Sequence, residues 1–200
     1  VLFFTASLLD EGWGWPKEHA LAIFGTYTAL VYLSTMLGGY FADKIIGYRM
    51  AVVVGALLMT IGHACMAMET SFFIYTGLLF LVFGSGFFKP NISSMVGSLY
   101  PKEEKSKLDS AFTIFYMGIN MGAFLGQFIC PYLGDVKDAT TGARDIFAFK
   151  WGFLAASIAM IIGTVTFFLL KNKYVVTPEG RPIGGLPKNN TSEDFEEGET

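Results

Sequence analysis

The sequence predicts an all-α protein that crosses a lipid bilayer several times, and three observations carry that expectation. Hydrophobic residues make up 52% of the 200-residue chain and charged residues only 16%, against about 25% charged in soluble domains. The mean hydropathy is +0.48. The charges are also gathered into short clusters that separate long uncharged runs. A net charge of −3 leaves no basic footprint for a phosphate backbone, so nucleic acid is not expected as a partner.

Residues 20–42, 50–68, 70–88, 110–134 and 151–170 contain no Asp, Glu, Lys or Arg, and each run has 19 or more residues. About 20 residues rising ~1.5 Å each cross a hydrocarbon core of about 30 Å, so each run is expected to be one membrane helix. Val1 to Leu9 is a further apolar piece that lacks the basic start of a signal peptide. It reads as the end of an incomplete first helix, which makes the run from residue 20 span 2. Lys89 interrupts span 4, whose apolar segment extends from Ser71 to about Tyr100. With Pro90 after it and Gly84, Ser85 and Gly86 before it, the helix is expected to kink or loosen there. Residues 1–171 thus form a helical bundle. Residues 172–200 form a polar tail rich in Gly, Pro, Asn and Glu, expected to be a flexible linker.

Orientation follows from the basic residues. Nine of the fourteen Lys and Arg fall in loops on one side (Lys44, Arg49, Lys102, Lys105, Lys107, Lys171, Lys173, Arg181, Lys188), and four on the other (Lys17, Lys137, Arg144, Lys150). The positive-inside tendency makes the nine-charge side and the tail cytoplasmic in a cell membrane, and Trp13, Trp15 and Trp151 then lie near the outer interface. The Asn190 sequon falls in that cytoplasmic tail and is accidental.

Chemistry that would mark an enzyme is missing from the pattern: there is no nucleophile motif, phosphate loop or pair of catalytic carboxylates. Cys65 and Cys130 lie alone in apolar helices and read as packing residues. His19 and His63 are isolated, so no metal site or cofactor is expected. Depth is more informative. Tyr32 lies eleven residues before Asp43, Lys89 eleven before Tyr100, and Asn120 eleven after Asp109. Eleven residues at ~1.5 Å is about 16 Å, half of the hydrocarbon thickness, so three helices carry polar groups near the midplane. Tyr116 joins Asn120 one turn away, within a stripe that includes Thr113 and Gln127, while Ser85, Lys89 and Ser93 repeat every four residues. Gly118, Gly122 and Gly126 form a separate seam suited to close helix packing. An ammonium at the centre of a membrane helix costs about 2.5 to 3.5 kcal/mol even on insertion scales, so Lys89 should face water, substrate or a counterion. The small polar residues have a simpler reading as hydrogen bonds between helices.

Three segments resemble the proton-dependent oligopeptide transporters of the major facilitator superfamily. GGYFADKIIGYRMAVVVGALLMTIGH, from Gly38 to His63, is similar to the first signature of that family, and FTIFYMGINMGAFLG, from Phe112 to Gly126, to the second. GSGFFKPNISSMVGSLY, from Gly84 to Tyr100, resembles its span 4 segment with the membrane lysine. Gly47 lies four residues after Asp43, a spacing closer to the peptide-transporter branch than to the general superfamily loop. The resemblance implies a major-facilitator-type amino-terminal six-helix bundle and symport of di- and tripeptides by alternating access, with protons as coupling ion. It implies that Lys89 meets the peptide carboxylate and takes part in proton coupling, and that Tyr32, Tyr116 and Asn120 contact the peptide. It further implies that Asp43, Gly47 and Arg49 form a cytoplasmic gate, whereas the residues alone suggest topology control plus capping. Asp109 reads as a helix cap.

The Glu-x-x-Glu-Arg signature of the family's span 1 would precede Val1, and the carboxy-terminal bundle would follow the tail as its partner. Gly25 occupies the place where animal relatives carry a histidine. Two other functions stay open: a related transporter of nitrate or of peptide-like compounds, and a non-transporting membrane sensor or scaffold.

Overall fold

The computed structural model describes residues 14–101, 104–137, 144–145, 148–177, 180 and 182–186. The Val1 to Leu9 piece, Trp13, Lys102, Arg181, Lys188 and the Asn190 sequon lie outside the described residues. Five long helices follow in order: α1 (Lys17–Phe41), α2 (Gly47–Met66), α3 (Ser71–Gly97), α4 (Lys105–Gly134) and α5 (Phe149–Tyr174). The expected uncharged runs fall within these helices to within two residues at either end. By length and apolarity four stretches among the described residues suit a membrane crossing, the first being the 50-residue run Lys17–Met66. That run contains two crossings, because the chain reverses within it.

The reversal is local chemistry. A π-helical turn, Ala42–Ile46, is followed by Gly47 with φ +74°, a left-handed conformation costly for any residue with a Cβ. An added Cβ at Gly47 would also stand 2.2 Å from the carbonyl oxygen of Gly185. Glycine is thus required there on two counts.

Inter-helix contacts fix the topology. Ser34 Oγ on α1 donates to Val82 O at 2.8 Å, and Gly38 meets Gly86, so α1 and α3 run parallel. Gly55 meets Gly84 and Gly62 meets Gly77, so α2 runs against α3. Ser157 Oγ on α5 donates to Thr60 O at 3.2 Å, and Gly134 lies against Gly152, which sets α5 antiparallel to both α2 and α4. The five helices therefore alternate in direction, as successive spans must.

Packing is densest around α3. Added Cβ atoms would fall 2.1 Å from Gly86 O at Gly38, 2.7 Å from Gly84 O at Gly55 and 2.9 Å from Gly77 O at Gly62. Backbones in such contact gain dispersion and weak polar interactions that lipid tails cannot supply. The expected glycine seam of α4 packs against nothing among the described residues: Gly118, Gly122 and Gly126 have no atom within 4 Å of an added Cβ. α4 touches α3 near Gly97 and Phe112 and touches α5 near Gly134, and between those points it stands exposed.

Two further expectations are corrected, while α3 stays helical past Pro90 to Gly97. Helix α4 begins at Lys105 with Glu104 before it, so Asp109 lies inside the helix, where its carbonyl accepts from Thr113 Oγ1 at 2.8 Å. The tail does not simply leave the bundle: α5 extends to Tyr174, Val176 bridges Pro182, and Ile183 is buried with Val52 and Met95. Val136–Lys137 and Arg144–Asp145 pair as antiparallel two-residue strands in the α4–α5 connection.

Two adjacent glycines give a direct test of this packing. Gly38→Val forces a methyl into the Gly86 carbonyl and is expected to destabilise the full-length protein by about 1 to 3 kcal/mol, as overpacked cores do. Gly39→Val, at a position with nothing within 4 Å, is expected to leave the melting temperature in detergent unchanged.

Candidate functional site

The polar segment of α3 is built around Pro90. Proline has no N–H for the carbonyl four residues back, and that carbonyl, Gly86 O, lies against Gly38. Asn91 then ties the two helices: its Nδ2 donates to Gly38 O at 3.3 Å and to Phe87 O at 2.7 Å, and its side chain is fully buried. Sequence reasoning missed Asn91. The signal was available, because an amide beside an intramembrane proline is the group that can satisfy loosened backbone.

Lys89 precedes this lock and is exposed. Among the described residues no carboxylate forms an ion pair with it; the salt bridge recorded joins Lys107 to Glu104 at 2.9 Å. The exposed apolar stripe of α3 consists of Phe72, Tyr75, Leu79 and Phe83. At 3.6 residues per turn Lys89 lies about 120° round from Phe83 and about 60° from Gly86. By the same count it lies about 40° from Tyr75, at the edge of that exposed stripe. Ser85, one turn earlier, is buried, with its Oγ 4.0 Å from Met59 Sδ. Ser93, one turn later, donates to Lys89 O at 3.2 Å.

The structure does not gather the other candidates around Lys89. Tyr32 is 73% exposed and lies about 160° round α1 from Ser34, which faces α3. Tyr116 is exposed and stacked on Phe112 at 6.2 Å. Asn120 is exposed, and its Nδ2 donates to Tyr116 O at 2.9 Å. No hydrogen bond or ion pair among the described residues joins these side chains across helices. Three helices instead present unshielded polar groups, two of them on the part of α4 that packs against no described residue.

The loop motif is tightly organised. Tyr48 lies within hydrogen-bonding reach of the Asp43 carboxylate. Arg49 does not pair with Asp43. Its side chain donates to the carbonyls of Lys171 at 3.1 Å and of Val175, to Asn172 Oδ1 at 3.0 Å, and to Ile183 O, while its backbone N–H donates to Gly184 O at 2.9 Å. A guanidinium placed on the last carbonyls of α5 adds a second donor to Lys171 O and Val175 O, which already accept from Val175 N–H and Ile183 N–H, and complements the helix dipole. Gly184, with φ +72°, fits under Tyr48, where an added Cβ would stand 2.9 Å from Tyr48 Cβ. Glu69 does the converse at the other end of α5, its Oε1 accepting from Lys150 N at 2.8 Å. Neither clamp was visible in the sequence, because the partners are backbone groups that carry no residue signature.

Alternating apolar helices in glycine contact, clamped at their ends and carrying an exposed lysine within a span, define a polytopic all-α membrane protein. The POT family (PTR2) profile matches residues 49–184, and the chain belongs to that family. It is 38% identical over 170 residues to the peptide transporter YePEPT of Yersinia enterocolitica, covering 84% of this chain and 31% of that protein. It is 37% identical over 181 residues to a di-/tripeptide transporter of Lactococcus lactis, covering 90% of this chain and 33% of the relative. The chain thus spans about a third of the length of these curated relatives. Among solved structures, a POT family transporter in complex with 5-aminolevulinic acid matches 98% of this chain and 37% of its own, with TM-score 0.77 and 33% identity. A variant of a peptide transporter POT in complex with alafosfalin matches 98% of this chain and 38% of its own, at TM-score 0.79 and 31% identity.

Removing the clamp should be measurable. Arg49→Ala removes the guanidinium bonds to the Lys171 and Val175 carbonyls, to Asn172 and to Ile183 O, and so loosens the turn around Ile183. It is expected to lower stability by about 1 to 2 kcal/mol and to speed limited proteolysis between residues 175 and 190 several-fold.

Proposed function

We propose that the full-length protein is a proton-coupled symporter of di- and tripeptides, and that this chain supplies the part of its amino-terminal bundle carrying Lys89. One observation carries the reading: a lysine within a membrane helix, exposed and free of a carboxylate partner among the described residues, in a chain of the POT family. Such a cation is stable in a membrane only where water, substrate or a counterion reaches it. A peptide carboxylate is an anion that suits it. Tyr32, Tyr116 and Asn120 offer hydroxyl and amide groups of the kind that recognise peptide backbone while leaving side-chain identity loosely specified. Their exposure fits a cleft closed from one side by the remaining two-thirds of the protein.

In this reading two bundles rock about a midplane pocket, alternating access between the two sides of a cell membrane. The nine-charge side is cytoplasmic, by the positive-inside tendency. Asp43, Gly47 and Arg49 form the cytoplasmic end of the gate, with Arg49 holding α5 and the following turn to α2 so that these helices move as one body. Protons supply the driving force, and a potential of about 100 mV adds about 2.3 kcal/mol per charge moved. No resident cofactor enters the reading. Similar proteins hold 5-aminolevulinic acid and alafosfalin, which supports a cargo range extending to peptide-like compounds with an amine and an acidic group.

Uptake into liposomes tests the assignment. Lys89→Ala in the full-length protein is expected to reduce proton-driven dialanine uptake by more than tenfold, and uptake equal to the unmodified protein would overturn the role of Lys89. Asn120→Ala, which removes about one hydrogen bond to the cargo, should raise the KM for dialanine about fivefold, or about 1 kcal/mol. Failure of dialanine to compete for transport of any solute would point to a non-peptide cargo.

A further inference from the structure

At the end of the bundle that carries Arg49, the tips of α2 and α5 and the turn after α5 enclose a cavity of about 360 Å3. Its walls have two chemistries. Arg49, Lys171 and Asn172 bring polar groups to the lining, and Met50, Phe168 and Leu186 bring apolar ones. The two cations stand at one level, since Arg49 immediately precedes the uncharged run 50–68 and Lys171 immediately follows 151–170. That level is the boundary between hydrocarbon and headgroups.

The cations are brought together without an acid to balance them. No carboxylate is among the described residues that line the cavity. Arg49 spends four of the five guanidinium N–H groups on Lys171 O, Val175 O, Asn172 Oδ1 and Ile183 O, which fixes its position and leaves one donor. The Lys171 ammonium rests over the Phe168 ring at 4.3 Å and has no ion pair among the described residues. The apolar wall is open to the bilayer: Met50 is 49% exposed, Phe168 55% and Leu186 76%.

We propose that this cavity binds the headgroup of an anionic phospholipid, with the phosphate on Lys171 and the free Arg49 donor and an acyl chain along Phe168 and Met50. Basic pockets between membrane helices at the interface recognise such headgroups. The apolar wall favours a lipid over a free phosphate, which would use the cations alone.

The test is thermal unfolding of the full-length protein in detergent. Dioleoylphosphatidylglycerol is expected to raise the melting temperature by about 5 °C, by preferential binding to the folded state. Dioleoylphosphatidylcholine at the same concentration should not raise it. Lys171→Gln should cut the rise to a third or less, while Lys173→Gln, which removes the same charge from a residue outside the cavity, should preserve it. If Lys171→Gln does not fold, Phe168→Ala supplies the same comparison by removing the acyl-chain wall. An undiminished rise in Lys171→Gln or Phe168→Ala, or an equal loss in Lys173→Gln, overturns the site. An equal rise with inorganic phosphate overturns the lipid in favour of a free anion. The acidic segment from Glu193 to Glu199 is the competing occupant. If neutralising it lowers the melting temperature in phosphatidylcholine only when Lys171 is present, the cavity belongs to that segment and the lipid assignment fails.

Discussion

The bundle depends on how closely the backbone of α3 approaches α1 and α2. Inside a bilayer the hydrophobic effect does not press helices together, because lipid tails are as apolar as side chains. Association must come from dispersion, weak polar contacts and hydrogen bonds made at short range. Gly38 against Gly86, Gly55 against Gly84 and Gly62 against Gly77 supply that range. The buried Ser34 and Asn91 add hydrogen bonds that cross from one helix to the other at the same contacts. α3 can then tolerate Pro90 and the lysine before it, because the backbone group that the proline leaves open is held against a neighbour.

Helix α5 is held by a different device. Its surface toward lipid is broad and apolar, with Ile158, Ile162, Val165 and Leu169 exposed, and its glycine contact is with α4 at Gly152. Opposite charges are placed at its two ends: Glu69 on the amino-terminal N–H groups, Arg49 on the carboxy-terminal carbonyls. Each charge sits where the helix dipole favours it, and both belong to the flanks of α2. The consequence is that α2, α5 and the turn after α5 form one mechanical unit, into which Ile183 inserts as an apolar plug.

Much of this was legible in the sequence, and the limits have physical causes. The spans could be read because a bilayer excludes charge, which turns each helix into a gap in the pattern of Asp, Glu, Lys and Arg. Lys89 stood out for the same reason. Glycines were harder. The regular spacing of Gly118, Gly122 and Gly126 suggested a packing seam, yet that seam is open here, and close contacts lie at Gly55 and Gly62 on α2 and at Gly77 and Gly84 on α3, each pair seven residues apart, because contact requires a match between two helices. The turn after α5 was read as a free linker from its polarity, although one buried isoleucine and a guanidinium that binds carbonyls are enough to fold it back. Backbone acceptors are invisible to any reading of side-chain identity.

The contrast between α3 and α4 bears on function. α3 is buried by glycine contacts on two sides and keeps its lysine exposed, whereas the middle of α4, with Tyr116 and Asn120, meets none of the described residues. A helix that is both polar and unpacked would be unstable facing lipid, where each unsatisfied polar group costs free energy. The polar stripe of α4 and the ammonium of Lys89 share this requirement for a wet or protein-covered face. One aqueous cleft between bundles would meet both requirements at once. A purely structural role would need a separate buried partner for each group.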